Sequence, residues 1–284
     1  MKKIALISEH ASPLAVAGSV DSGGQNVYVA HVARELARAG VQVDVFTRKD
    51  NPALEPEHAW LRNVRVIHVP AGPDTYLPKE QLLPHMDAFS DYLMHYFGAQ
   101  ARSYDAIHAN FFMSAMAALP VSQRYGIPLA VTFHALGKVR RQHQQEADLF
   151  PDSRFDIEEE IIRRADRIIA ECPQDRRDLM ELYGADPRRI AIVPCGYDAA
   201  EMRQAGISQQ TAANMIAVRI GHAASDGAGS IHERQYLASM VGAAATHILR
   251  LTYSLPIYAT AMERDLAPVA AGRAVYELCM EGKL

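Results

Sequence analysis

Cysteine is scarce in this chain of 284 residues. Cys172, Cys195 and Cys279 are the only three, an odd number with no CxxC and no Cys/His spacing of the metal-ligating kind. That pattern excludes a disulfide framework and reads as reduced thiols, with no metal expected. Long apolar runs are missing too, and no stretch approaches the ~18 consecutive apolar residues of a membrane-crossing helix. The run Ile4-Ala5-Leu6-Ile7 is too short for the apolar core of a signal peptide and is followed by Glu9 and His10. A cytoplasmic location is the expectation. Nor is there an excess of one charge: 29 Lys and Arg stand against 33 Asp and Glu, a net −4, so nothing favours wholesale binding to nucleic acid or an anionic membrane. The dinucleotide pattern G-x-G-x-x-G, the lysine of a Walker A loop and any internal repeat are likewise missing.

What is present is a globular composition, 49% hydrophobic and 22% charged, sufficient for a substantial core. Through residue 198 short apolar runs alternate with amphipathic segments. Strands are expected at 3–8, 41–47, 64–69, 106–109, 128–133, 167–171 and 190–194. Helices are expected at 23–40, 81–101, 112–125, 155–165 and 174–183. In the first helix Val29, Val32, Ala33, Leu36 and Ala37 share one face, and Gly40 ends it. Fully apolar strands separated by helices imply an α/β, doubly wound, Rossmann-like parallel sheet covered on both faces. Ligands of such sheets sit beyond the C-terminal ends of the strands. The loops 9–24, 70–79, 134–141 and 195–198, with Asn110, are therefore where chemistry is sought. Beyond residue 198 the alternation stops. A strand at 215–220 and two helices, 232–253 and 257–280, form an irregular, mostly helical tail.

Four features stand out in those loops. Gly23-Gly24 leads from the first strand into the first helix, where free N–H groups and the helix dipole suit a phosphate; a plain tight turn explains the same residues equally well. His134 ends a strand and is followed by Lys138, Arg140 and Arg141, a histidine able to bond a sugar hydroxyl beside cations able to hold phosphate. A capped histidine next to a solvated basic loop is the competing reading. Lys79 stands before the long helix, in a setting where most lysines are solvated. His108 and Asn110 end another strand, as cleft-lining groups or as buried polar groups satisfying backbone.

Taken in order, the segments DSGGQNVYVAHVARELARAGVQVDVFTR, IHVPAGP, PKEQLLPHMDAF, HANFFMSA, VTFHALGKVRRQHQ, ADRIIAECPQDRRDL and YGADPRRIAIVPCGYD resemble the retaining GT-B glycosyltransferases of family 4. The sucrose-phosphate-synthase-like and mycothiol-glycosyltransferase-like branches are the most similar. The resemblance covers residues 1–198, the acceptor-side N-terminal domain. It implies transfer of a sugar, with retention, from a nucleotide-diphosphate sugar to a sugar or sugar-phosphate acceptor, with no cofactor. It further implies that Gly23 and Gly24 approach the donor diphosphate, that Gln25 contacts the acceptor and that His134 bonds the sugar at the reaction centre. Lys79 and Lys138 would hold an acceptor phosphate, with Arg140 and Arg141 beside them. The donor-side signature of two glutamates eight positions apart is not found among Glu201, Glu233, Glu263, Glu277 and Glu281. A truncated or recombined, catalytically incompetent sugar-binding module is therefore the alternative to an enzyme. A helical cap formed by 199–284, or a second chain supplying the donor side, also stays open. Self-association as a homodimer is expected of an uncovered apolar cleft.

Overall fold

The computed structural model describes residues 2–15, 24–100 and 104–193. Gly23 and the tail 199–284, with its expected strand and helices, lie outside the described residues. The chain divides into two compact units, Met1–Ile169 with Met180–Ala191 and Ala170–Leu179 with Ile192–Leu284. Every described residue of the candidate site belongs to the first.

The strands are β1 (Lys3–Ile7), β2 (Gln42–Arg48), β3 (Glu57–Leu61), β4 (Val64–Val69), β5 (Ala106–Asn110), β6 (Leu129–Thr132), β7 (Arg167–Ala170) and β8 (Ile190–Ile192). The helices are α1 (Gly24–Arg38), α2 (Met86–Gly98), α3 (Phe112–Tyr125), α4 (Gly137–Gln144), α5 (Ser153–Arg164) and α6 (Pro173–Tyr183). The sheet runs in the order β3-β4-β2-β1-β5-β6-β7-β8. Pairings of β1 with β2 and β5, of β2 with β4, and of β6 with β5 and β7 are parallel.

Side-chain alternation explains how both faces are covered. Leu6, Val43, Val45, Val64 and Val66 pack with Val29 and Ala33 of α1 on one face. Phe46 points the other way and meets Phe97 of α2 at 5.7 Å between ring centroids. Helices α2 and α3 are tied where Ser90 Oγ donates to the Ala117 carbonyl at 2.9 Å. Gly126 ends α3 at φ 63°, a left-handed position that costs other residues strain.

Three differences from the sequence reading have physical reasons. The edge strand β3, antiparallel to β4, is EHAWL and mostly exposed. An edge facing water needs no apolar pattern, so periodicity gave no signal. The helix expected from residue 81 begins at Met86, after 3-10 turns at Lys79–Gln81 and Leu83–His85. Pro84 lacks the N–H that a continuous helix would use there. The basic segment expected as a loop is helical from Gly137, so its cations are distributed around α4.

One polar cluster is buried far from the strands' C-terminal ends. Asp44 accepts from Arg65 Nε at 2.9 Å and Tyr104 Oη at 2.7 Å and pairs with Lys3 at 3.3 Å. Burial pushes its pKa up, but the Arg65 and Tyr104 hydrogen bonds and the Arg65 and Lys3 charges outweigh it, so the net direction is down. A depressed folded pKa means the ionised carboxylate stabilises the fold above the ordinary aspartate range, and that contribution is lost as pH falls through the folded value. Asp44→Asn is expected to cost roughly 2 kcal/mol at neutral pH, because it leaves buried donors unpaired. It is also expected to flatten the acid limb of the stability curve. Urea melts of both proteins from pH 7 downward check this; parallel acid limbs would refute it.

Candidate functional site

Strand order reverses direction between β1 and β5: the chain builds outward through β2 and β4 on one side and through β6, β7 and β8 on the other. That switch point opens a crevice outside the C-terminal ends of β1 and β5. Ser8, Glu9 and His10 leave β1 there, Asn110 and Phe111 stand at the end of β5, and Phe133 and His134 follow β6. Gln25, in the first turn of α1, spans the crevice floor: its Nε2 donates to Ser8 Oγ at 3.2 Å and to the Asn110 carbonyl at 3.3 Å. Gly24 opens α1 beside it.

His134 sits at φ 58°, a left-handed conformation unusual for a side chain of this size. The Ala135 N–H donates to the Phe133 carbonyl at 2.6 Å, closing a three-residue turn around it. Phe111, on the neighbouring strand end, is at φ 79°. Two strained residues side by side mark this edge as over-determined by its surroundings. The restraints are visible. Asn110 Nδ2 faces the Ile7 and His108 carbonyls, each at 3.4 Å, which leaves Oδ1 as an acceptor. His134 Nε2 lies 3.1 Å from that oxygen, so Nε2 carries the proton and donates it. The ring meets Tyr28 edge-on at 4.8 Å.

Behind the His134 turn lies an ion pair that the sequence reading missed. Arg154 and Glu158 of α5 are both 0% exposed. Arg154 Nε donates to Glu158 Oε1 at 2.8 Å, and its Nη2 donates to the Ala135 carbonyl at 2.5 Å. The guanidinium lies over Phe111, Phe112 and Phe150. Its Nη1 is the one buried side-chain nitrogen or oxygen without a hydrogen-bond partner among the described residues. Glu158 accepts the Gly137 N–H at 2.9 Å and the Tyr183 hydroxyl, and so occupies the N-terminus of α4. Burial pushes the Glu158 pKa up, against the pull of Arg154, Tyr183 and the Gly137 N–H. A Cβ at Gly137 would come within 2.9 Å of both Arg154 Nε and Glu158 Oε2, so only glycine fits. In sequence the two residues are an i,i+4 pair, the spacing of an ordinary surface ion pair, which is why they gave no signal.

The remaining cations are placed as follows. Lys79 opens a half-buried 3-10 turn whose next residue, Glu80, lies 3.5 Å from Arg140 Nη2. The 70–79 loop is itself pinned by buried Arg48, which donates to the Pro73 carbonyl at 2.7 Å and the Thr75 carbonyl at 2.6 Å. Arg140 Nε holds Asp148 at 2.9 Å, and Arg141 holds Asp148 and Asp152. Lys138 Nζ turns to α5 and α6. It donates to Glu159 at 2.6 Å and to the Leu182 carbonyl at 2.8 Å, over the Tyr183 ring.

A shallow, open cleft adjoins the crevice, lined by Glu9, His10, Thr47, Arg48, Tyr76 and Leu82 among others. His10 was missed as well, although Ser8-Glu9-His10 directly follows the first strand, where the topology rule directs attention. Among the described residues no group of three or more His, Cys, Asp or Glu is arranged to hold a metal ion, and no helix is long and apolar enough to cross a membrane.

Comparison with known proteins agrees with this architecture. The chain is 38% identical over 202 residues to D-inositol 3-phosphate glycosyltransferase of Kineococcus radiotolerans, covering 70% of this chain and 46% of that one. It is 39% identical over 207 residues to the enzyme of the same name from Acidothermus cellulolyticus, covering 71% and 46%. The chain thus spans about half the length of the curated relatives it matches. Among solved structures, sucrose-phosphate synthase from Thermosynechococcus elongatus aligns with a TM-score of 0.65 at 30% identity, covering 74% of this chain and 53% of that one. Residues 22–201 match the family description Glycosyltransferase Family 4, and with the doubly wound sheet and the switch-point crevice this establishes that the chain belongs to that family.

Proposed function

We propose that this chain carries the acceptor side of a retaining glycosyltransferase, moving a sugar from a nucleotide-diphosphate sugar to a polyol or sugar phosphate. The observation that carries the reading is the strained His134 turn, held by Asn110 and Arg154 at the switch point of the sheet. Strain persists where the surroundings enforce it, and here they fix a part-exposed imidazole just beyond the C-terminal end of β6. His134 contacts the transferred sugar, and Gly23 and Gly24 let the donor diphosphate approach the start of α1. His10 and Gln25 meet the acceptor hydroxyls. The acceptor oxygen bonds to the anomeric carbon on the face from which the diphosphate departs. The protein contributes orientation and charge stabilisation, with no protein nucleophile and no metal required.

A phosphate on the acceptor is drawn to Lys79, whose turn meets Arg140. Lys138 is held by Glu159 and the Leu182 carbonyl, so phosphate capture there requires that pair to open. Titration calorimetry with D-inositol 3-phosphate and with unphosphorylated inositol tests the reading. The phosphorylated compound is expected to bind at least about tenfold more tightly, with Lys79→Ala removing most of that difference, as loss of a charged hydrogen bond would. Equal affinity for the two compounds, or no binding of either, would count against it.

A further inference from the structure

Glu9 is 0% exposed at the end of β1 and is not used in the acceptor-side reading above. Its surroundings determine the role of each of its atoms. Its backbone N–H donates to Ser114 Oγ at 3.0 Å, so that oxygen is an acceptor there and its own proton points elsewhere. The Ser114 hydroxyl donates that proton to Glu9 Oε2. Glu9 Oε1 lies 2.7 Å from His10 Nδ1. With one oxygen occupied by a hydroxyl proton, a carboxylate can face Nδ1 favourably only if Nδ1 carries a hydrogen; a lone pair there would meet a negative oxygen in a buried setting. The His10 ring is further fixed by Phe111, which it meets edge-on at 5.1 Å. Its side chain is 12% exposed, and it lines the cleft.

We propose that Glu9 and Ser114 form a positioning pair that fixes His10 as the Nδ1–H tautomer and presents the Nε2 lone pair to the cleft. A lone pair accepts a hydrogen bond and repels an anion. His10 so held takes a ligand hydroxyl, not a phosphate oxygen, and sets which edge of a polyol phosphate lies against β1. The cation at Lys79 takes the other edge. Specificity therefore comes from groups of opposite preference fixed on separate elements, His10 just after β1 and Lys79 in its 3-10 turn. This inference rests on the acceptor reading for its ligand but not for its geometry.

The test is long-range proton–nitrogen NMR of the chain labelled with 15N-histidine, at a pH where the imidazole is neutral. His10 is expected as the Nδ1–H tautomer, the minority form of an unconstrained histidine. Glu9→Met removes the acceptor, so the ring is expected to revert to Nε2–H and D-inositol 3-phosphate to bind about tenfold more weakly, the cost of one directed hydrogen bond. Glu9→Gln keeps an amide oxygen facing Nδ1 and is expected to retain both tautomer and affinity, a rescue that a purely structural role would not produce. Nε2–H in the unmodified protein overturns the proposal without requiring any variant to fold. An unchanged tautomer in Glu9→Met overturns it as well. If D-inositol 3-phosphate fails to bind the unmodified chain, the acceptor reading falls, while the tautomer alone still decides the role of Glu9.

Discussion

Replacing Glu158 with leucine is expected to destabilise the protein by about 3–5 kcal/mol, the cost of leaving one member of a buried ion pair uncompensated. The magnitude follows from what depends on that carboxylate. Arg154 is wholly enclosed, its Nη1 has no partner among the described residues, and Nε would lose its only acceptor. The Gly137 N–H and the Tyr183 hydroxyl lose theirs as well. Changing Arg154 to methionine together with Glu158→Leu is expected to recover the part of the loss that comes from the unpaired guanidinium, since a buried pair costs desolvation that apolar replacements do not. The double variant nevertheless removes the bond from Arg154 to the Ala135 carbonyl. It should therefore fold well and still bind acceptor poorly. Chemical denaturation of the two variants beside the unmodified protein separates these effects: a Glu158→Leu melt within about 1 kcal/mol of the unmodified protein would mean water or local rearrangement satisfies Arg154.

That network also shows where sequence reading reaches its limit. The sheet was legible because the inner strands are short segments rich in buried apolar residues between helical patterns, and α3 at Phe112–Tyr125 falls where the pattern placed it. The loops that carry the site followed from topology, since ligands collect where a parallel sheet reverses its strand order. His134, Asn110 and Gln25 do meet at that point, connected through the Asn110 side chain and carbonyl. The direction of each cation was not legible. Lys138, Arg140 and Arg141 are adjacent in sequence, but once Gly137 starts a helix they radiate around it, toward Glu159, Glu80 and Asp152 respectively. Burial of a charge is invisible in the same way. Arg154-Glu158 and Glu160-Arg164 have the same spacing on one helix, yet the first pair is enclosed and the second is exposed at its arginine. Only the elements packed against α5 decide which is which.

The second large effect is expected at His134, where two substitutions should differ in stability while both weaken binding. A non-glycine residue in left-handed backbone costs about 1–2 kcal/mol relative to glycine, and the turn at φ 58° imposes that cost on whatever side chain stands there. His134→Ala keeps the strain while losing the Asn110 hydrogen bond and the Tyr28 contact. His134→Gly loses the same contacts but releases the strain, less the extra chain entropy that glycine gives the unfolded state, which is under about 1 kcal/mol. The glycine variant should therefore melt above the alanine variant. Both should lose at least about tenfold in affinity for the sugar that the imidazole contacts through Nδ1 and, where donor and acceptor halves act together, about a hundredfold in transfer, as expected when one preorganised hydrogen-bonding group is deleted. Thermal melts and calorimetry on the two variants decide it. If alanine proves as stable as glycine, the turn relaxes when the imidazole is removed, and its conformation follows from the histidine instead of being imposed by Arg154 and the strand ends. If affinity survives both changes, the imidazole is a structural cap and the chemistry of the crevice rests on His10 and Gln25.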